Sequence, residues 1–264
     1  MQYHFRKDIV EGYTRLVGPG EGGLHYLEVG ILKLPAGRSY SSTAEGLEVA
    51  LVIVGGRATI EAGDERWDGL GRRADVFQGA GDSVYVPLGA PYTVTAETDL
   101  EVGLCKALTA FKSQPQVVRA TEVETGWRGR RNFERHIRNI MLDNISAGRL
   151  LVGETVNPPG NWSSFPPHKH DQAIPTVETK LEEVYLYKIT PEQGFGLQRL
   201  YTAEGDVDEV FVLRSNDAVA FPRGYHPVVA APGYKLYYLW ALAGEERRMQ
   251  PHDDPNHEWV SDAW

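Results

Sequence analysis

Along most of this chain, apolar residues alternate with polar ones or gather in brief unbroken runs; the three-to-four spacing of an amphipathic helix is rare. The segments "LEVALVIVGG" from Leu47, "DSVYVP" from Asp82, "RLLVGETV" from Arg149, "EEVYLYKI" from Glu182, "DEVFVL" from Asp208, "DAVAFP" from Asp217 and "YKLYYLWAL" from Tyr234 are short and rich in β-branched and aromatic residues. Gly, Pro, Asn or Asp bound them, which is the pattern of antiparallel strands joined by turns. Only Arg135 to Leu142 hints at a helix, and its period is weak. The pattern predicts an all-β chain, a sandwich or barrel of the jelly-roll type.

The strand pattern repeats. "GDSVYVPLGAPYTV" parallels "NDAVAFPRGYHPVV", so that Asp82, Val84, Pro87 and Gly89 match Asp217, Val219, Pro222 and Gly224 at an offset of 135 residues. The same offset pairs Glu48 with Glu183. "LPAGRSYSS" and "NPPGNWSS" correspond at a smaller offset, so the second copy carries about a dozen extra residues ahead of its glutamate. Two similar β-domains are expected, residues 1–125 and 126–264, joined within the arginine-rich region from Lys112 to Asn139.

Composition narrows the function classes. The 264 residues carry 27 Lys plus Arg against 36 Asp plus Glu, a formal charge of -9. That balance argues against a nucleic-acid partner, because phosphate binding needs a basic surface. The single cysteine, Cys105, leaves no disulfide framework and no multi-thiolate zinc site, as expected in a reducing compartment. No apolar run approaches the roughly 20 residues of a membrane helix, and the amino terminus is charged where a signal peptide is apolar. A cytoplasmic location without membrane or nucleic-acid partners is the expectation, and a homo-oligomer is compatible with it.

The extra residues of the second copy carry the candidate chemistry. His168 and His170 share one face of an extended segment, so both imidazoles can reach adjacent positions on one metal ion. Glu183 opens the next strand, with Tyr185 and Tyr187 on its face. In "FPRGYHPV" a Pro and Gly turn presents His226. Three imidazoles and a carboxylate suit one divalent ion per chain, Zn²⁺, Mn²⁺ or Fe²⁺. Either Glu182 or Glu183 can face inward but not both, and the repeat with Glu48 favours Glu183. His4, His25 and His136 read as structural residues, and His252 and His257 as tail residues. In the first copy Pro91 stands where His226 stands in the second, and a lone Glu48 cannot hold a transition metal, so that domain is expected to be metal-free.

The set of His-x-His, a downstream Glu and Pro-x-Gly-x-His resembles the metal site of cupins. The longer strings "GNWSSFPPHKHD", "EEVYLYKITPEQGFGLQRLYT" and "PRGYHPVVAAPGYKLYYLWALAG" resemble the 5-deoxyglucuronate isomerases of inositol catabolism. The spacing departs from common cupins, with 12 residues between His170 and Glu183, and matches the isomerase strings. The resemblance implies two cupin-type jelly-roll domains in tandem and a metal-assisted aldose–ketose isomerisation of a uronate-type sugar acid. Such chemistry needs a Lewis acid and a proton shuttle, for which Glu183, Lys169, Tyr185 and Tyr187 are candidates. Arg199, Arg223 and Tyr238 are candidates for binding the substrate and its carboxylate. An iron-dependent dioxygenase and a non-catalytic sugar-binding bicupin remain as alternatives.

Overall fold

A computed structural model describes residues 1–263, and nearly all of its regular structure is strand. A six-stranded antiparallel sheet has the order 116–118, 83–86, 47–55, 100–108, 27–34, 12–17, and a four-stranded sheet of 39–43, 91–96, 58–62 and 65–70 faces it. The carboxy-terminal half repeats this plan. Its seven-stranded sheet runs 4–5, 218–221, 181–190, 235–244, 151–157, 135–141, 124–128, opposed by four strands at 162–163, 228–230, 196–201 and 208–213. Among the described residues no helix is long and apolar enough to cross a membrane.

Three hydrophobic cores follow from the alternation of side chains along these strands. Val49, Leu51 and Ile53 fill the interior of the first sandwich. Tyr185, Tyr187, Phe221 and Tyr238 fill the second. The opposite faces of the same strands, Ala50, Val52 and Val54 on one and Val184 and Leu186 on the other, meet in a third core between the halves. Strands buried on both faces read as continuous apolar runs, which is why "LEVALVIVGG" shows so little alternation.

One short edge strand crosses from the first half into the second sheet, while another closes the sheet of its own half. His4–Phe5 pairs with Ala218–Phe221 of the second sheet, and Gln116–Val118 pairs with Ser83–Val86 of the first. The first residues of the chain therefore lie in the sheet of the second half, across the expected division at residue 125. A pair of buried carboxylates is exchanged between the halves. Glu48 accepts the backbone N–H groups of Gly148, Arg149 and Leu150, and Glu182 accepts those of His25, Tyr26 and Leu27.

That exchange corrects the repeat. The ladder places Val49 opposite Val86 and Glu183 opposite Phe221, and both partners directly precede the matching turn prolines of the repeat, Pro87 and Pro222. Val49 occupies the register of Glu183, and Glu48 that of Glu182. A one-residue slip in alignment reverses which face a side chain takes. The segment from Arg135 is a second correction: it forms the strand Arg135–Met141 and not a helix. Its weak helical spacing reflects apolar residues on both faces of the strand, Ile140 on one and Ile137 on the other.

Candidate functional site

The strand Leu181–Thr190 carries Glu183 and Tyr185 on the inner face of the second sandwich, beside Tyr238 and Trp240 of the neighbouring strand Lys235–Gly244. His168 and Lys169 form a short strand paired with His252–Asp253, so the tail of the chain braces the histidine segment. His226 follows a turn in which Gly224 has φ of +91°, and a Cβ there would lie 2.6 Å from Tyr201 O. Glycine is required on both counts, and the turn it permits aims His226 inward.

His170, Glu183 and His226 converge, all buried, with their ligand atoms within 4.8 Å of one another. Nε2 of His170 lies 2.9 Å and Nε2 of His226 3.1 Å from Oε2 of Glu183. The other ring nitrogens, Nδ1, donate to backbone carbonyls, His170 to Leu181 O at 2.8 Å and His226 to Gly224 O at 2.9 Å. In the neutral imidazole that assignment leaves each Nε2 with a lone pair facing a carboxylate oxygen. Such a contact needs a proton or a cation between the partners. Nε2 of His226 is fully buried and makes no directed hydrogen bond despite its closeness to Glu183. An orphaned lone pair beside a carboxylate and a second imidazole fits a divalent cation, and the backbone bonds at Nδ1 are those that orient ligating histidines.

Electrostatics agree with this donor set. Burial alone would raise the Glu183 pKa, but the His170 and His226 rings beside it, at 2.9 and 3.1 Å, outweigh burial and lower it to about 2, so the carboxylate is ionised at neutral pH. His168 is held well below its ordinary value by burial and by the neighbouring His226 and His170 rings, so it is neutral. Its ring stands edge-on to His226 at 5.0 Å and lies 6.4 Å from His170, beside the triad rather than within the 4.8 Å group. Burial raises the phenols of Tyr185 and Tyr238, which therefore remain protonated and able to donate. Tyr185 OH lies 2.9 Å from Ser164 Oγ, and Tyr238 OH donates to Ser163 Oγ at 2.9 Å.

A cavity of about 330 Å³ opens over the triad, lined by His168, His170, Glu183, Tyr185, Tyr238 and Trp240. Other residues named from the sequence lie elsewhere. Lys169 points to the opposite side of its strand, where its ammonium pairs with Asp171 at 2.6 Å and with Glu178 at 2.8 Å. Tyr187 is buried below the cavity and donates to Gln198 Oε1 at 2.8 Å. Arg199 pairs with Asp208, and Arg223 with Asp206, both on the exposed surface away from the cavity. In their place the cavity wall holds Arg128, Arg135, Asn139 and Thr155. The alternation Arg135, Ile137, Asn139 carried that signal, once the segment is read as a strand. A larger cavity of about 700 Å³ between the two halves includes Lys33 and Lys188 in its wall but no histidine.

Known proteins resemble this chain over nearly its whole length. The chain is 41% identical over 254 residues to the 5-deoxy-glucuronate isomerase of Geobacillus thermodenitrificans, covering 96% of this chain and 93% of that one. It is 36% identical over 239 residues to the enzyme of the same name from Bacillus subtilis strain 168, covering 90% and 88%. The crystal structure of an IolB-like protein from Salmonella typhimurium LT2 superposes with a TM-score of 0.95 at 35% identity, covering 98% and 99%. The oxalate decarboxylase of Lactobacillus farciminis, at 12% identity, TM-score 0.65 and coverage of 99% and 90%, shares the fold alone. Residues 6–260 match the KduI/IolB family, so this two-domain β-sandwich, with its buried His170, Glu183 and His226, belongs to that family.

Proposed function

We propose that this protein isomerises 5-deoxy-glucuronate to 5-dehydro-2-deoxy-gluconate, an aldose–ketose conversion, with one divalent ion held by His170, Glu183 and His226 and with His168 as a fourth ligand. The observation that carries the reading is the buried convergence of two lone-pair nitrogens and an ionised carboxylate beneath a cavity of small-molecule size, in a chain of this family. Relatives bearing the isomerase name over nearly their whole length support the substrate class. The donor set suits Zn²⁺ or Mn²⁺, and also Fe²⁺. A divalent ion there would act as a Lewis acid on the sugar's carbonyl and adjacent hydroxyl oxygens.

The chain's own residues supply the rest. The reaction takes a proton from C2 of the aldose and returns one to C1, while the hydroxyl proton at C2 moves to the former aldehyde oxygen. Of the candidates for shuttling, Glu183 and Tyr185 face the cavity; Lys169 and Tyr187 are engaged with other partners. Glu183 is ionised and able to accept a proton, whereas Tyr185 is protonated and donates. Tyr185, Tyr238 and Trp240 form an aromatic wall that limits the water reaching the sugar. The first domain, with Val49 in the register of Glu183, serves as a packing partner and holds no ion.

The test is conversion of 5-deoxy-glucuronate by metal-replete protein in deuterated water, followed by nuclear magnetic resonance. Ketose product with deuterium at the former aldehyde carbon is expected. Unchanged substrate, or turnover that consumes dissolved oxygen, would refute the assignment, the latter in favour of a dioxygenase.

A further inference from the structure

The strands Glu124–Arg128 and Arg135–Met141 extend the seven-stranded sheet past the sandwich, and their inner face forms one side of the cavity over the triad. Three cross-strand pairs lie on that face: Glu124 with Asn139, Gly126 with Ile137, and Arg128 with Arg135. Two like charges directly opposite each other in a ladder repel. Neither arginine has a carboxylate within 4.0 Å among the described residues, whereas Arg73, Arg138, Arg199 and Arg223 all do. A chain with 36 acidic residues against 27 basic ones does not lack partners.

The donors of Arg135 are also underused. Its Nη1 reaches only the carbonyls of Phe133 and Phe165, at 3.3 and 3.4 Å, the long end of hydrogen bonding. The acids nearby do not neutralise the pair. Glu124 accepts from Asn139 Nδ2 at 3.1 Å, and Asp253 affects Arg135 electrostatically without pairing with it. A guanidinium stays charged whatever its surroundings, so one side of the cavity presents uncompensated positive charge. We infer that Arg135, reinforced by Arg128, binds the carboxylate at the far end of the sugar acid, holding the aldehyde end toward His170, Glu183 and His226. This rests on the isomerase reading, and it replaces Arg199 and Arg223 as the anchors of the acid.

The experiment compares wild type with Arg135→Gln, Arg135→Lys and Arg128→Gln, all metal-loaded. Turnover is measured on 5-deoxy-glucuronate and on the neutral sugar in which hydroxymethyl replaces the carboxylate. Calorimetry follows binding of 5-deoxy-glucuronate reduced at C1 to the alcohol, which cannot isomerise. Loss of a bidentate charged hydrogen bond predicts a rise of about 10- to 100-fold in KM and in the dissociation constant for Arg135→Gln, with kcat changed less. Arg135→Lys should recover part of the loss, and the neutral sugar should be turned over equally by wild type and variant. Arg128 is exposed, so Arg128→Gln tests the pair without risk to folding, and a 3- to 10-fold effect in the same direction is expected. Binding of the reduced acid within twofold of wild type in both Gln variants overturns the inference, as does failure of wild type to bind it. Wild type that binds the acid but does not turn it over refutes the isomerase reading and leaves the arginine assignment standing.

Discussion

The imidazole of His226 is completely buried, donates through Nδ1 to Gly224 O, and leaves Nε2 without a directed partner. Its neighbours decide what that means: beside Glu183 and His170 it is a candidate metal ligand, whereas in an apolar core it would be a costly defect. Metal analysis of the purified protein should find one divalent ion per chain. His226→Ala should reduce occupancy to a small fraction of that while the protein stays folded, because the sandwich cores hold apart from the ion. His168→Ala separates a ligating role from a lining one: loss of a ligand should weaken binding at least tenfold, whereas a lining residue would leave affinity near wild type. Full occupancy in His226→Ala, or a second ion in the first domain, would contradict the assignment. At this scale the sequence displayed the histidines and the glutamate by residue type and spacing. The parity that puts His168 and His170 on one face puts Lys169 on the other, but its partner there, Glu178, nine residues on, came only from the tertiary structure.

The amino-terminal strand His4–Phe5 is two residues long, too short to hold its place by ladder bonds alone. Asp217 fixes it. The buried carboxylate accepts from Arg6 Nε and Nη2, both at 2.7 Å, from the Arg214 N–H, and lies 2.9 Å from His4 Nε2. Burial would raise the Asp217 pKa, but these donors prevail and it lies below the ordinary value of 3.8. Because the folded pKa is depressed, the stabilisation is present above about pH 4 and is lost as pH falls through the lowered value. Asp217→Asn should cost about 1.5–3 kcal/mol at neutral pH and speed proteolysis within residues 1–10. It should also flatten the acid limb of the stability curve; an unchanged limb and protease pattern would show that the strand is held otherwise. Strand existence was legible from alternation and turn residues. The crossing of His4–Phe5 into the second sheet was not, because a strand of two residues carries no period.

Across the molecule, the two halves are joined by an apolar core and by one buried charge cluster. Glu154 is fully buried; it accepts from Arg73 of the first half and Arg138 of the second, and Tyr237 OH donates to it at 2.8 Å. Removing the shared acid leaves two guanidiniums uncompensated, so Glu154→Gln should destabilise by about 3–5 kcal/mol. Calorimetry should then show the melting temperature lower by roughly 10 °C; a change under about 2 °C would mean that the cluster relaxes without loss. Composition, alternation and the internal repeat determined by themselves that this chain is all-β, doubled, acidic, and equipped with imidazoles and a carboxylate near one another in the second copy. Those properties are local, written in residue type and spacing. The register of Glu48 against Glu182, the burial of Tyr187, the outward course of Arg199 and Arg223 and the cross-strand meeting of Arg128 with Arg135 were decided only by the tertiary structure. Each depends on which strand lies beside which, and a one-residue shift in that pairing turns a side chain from the cavity to the opposite face.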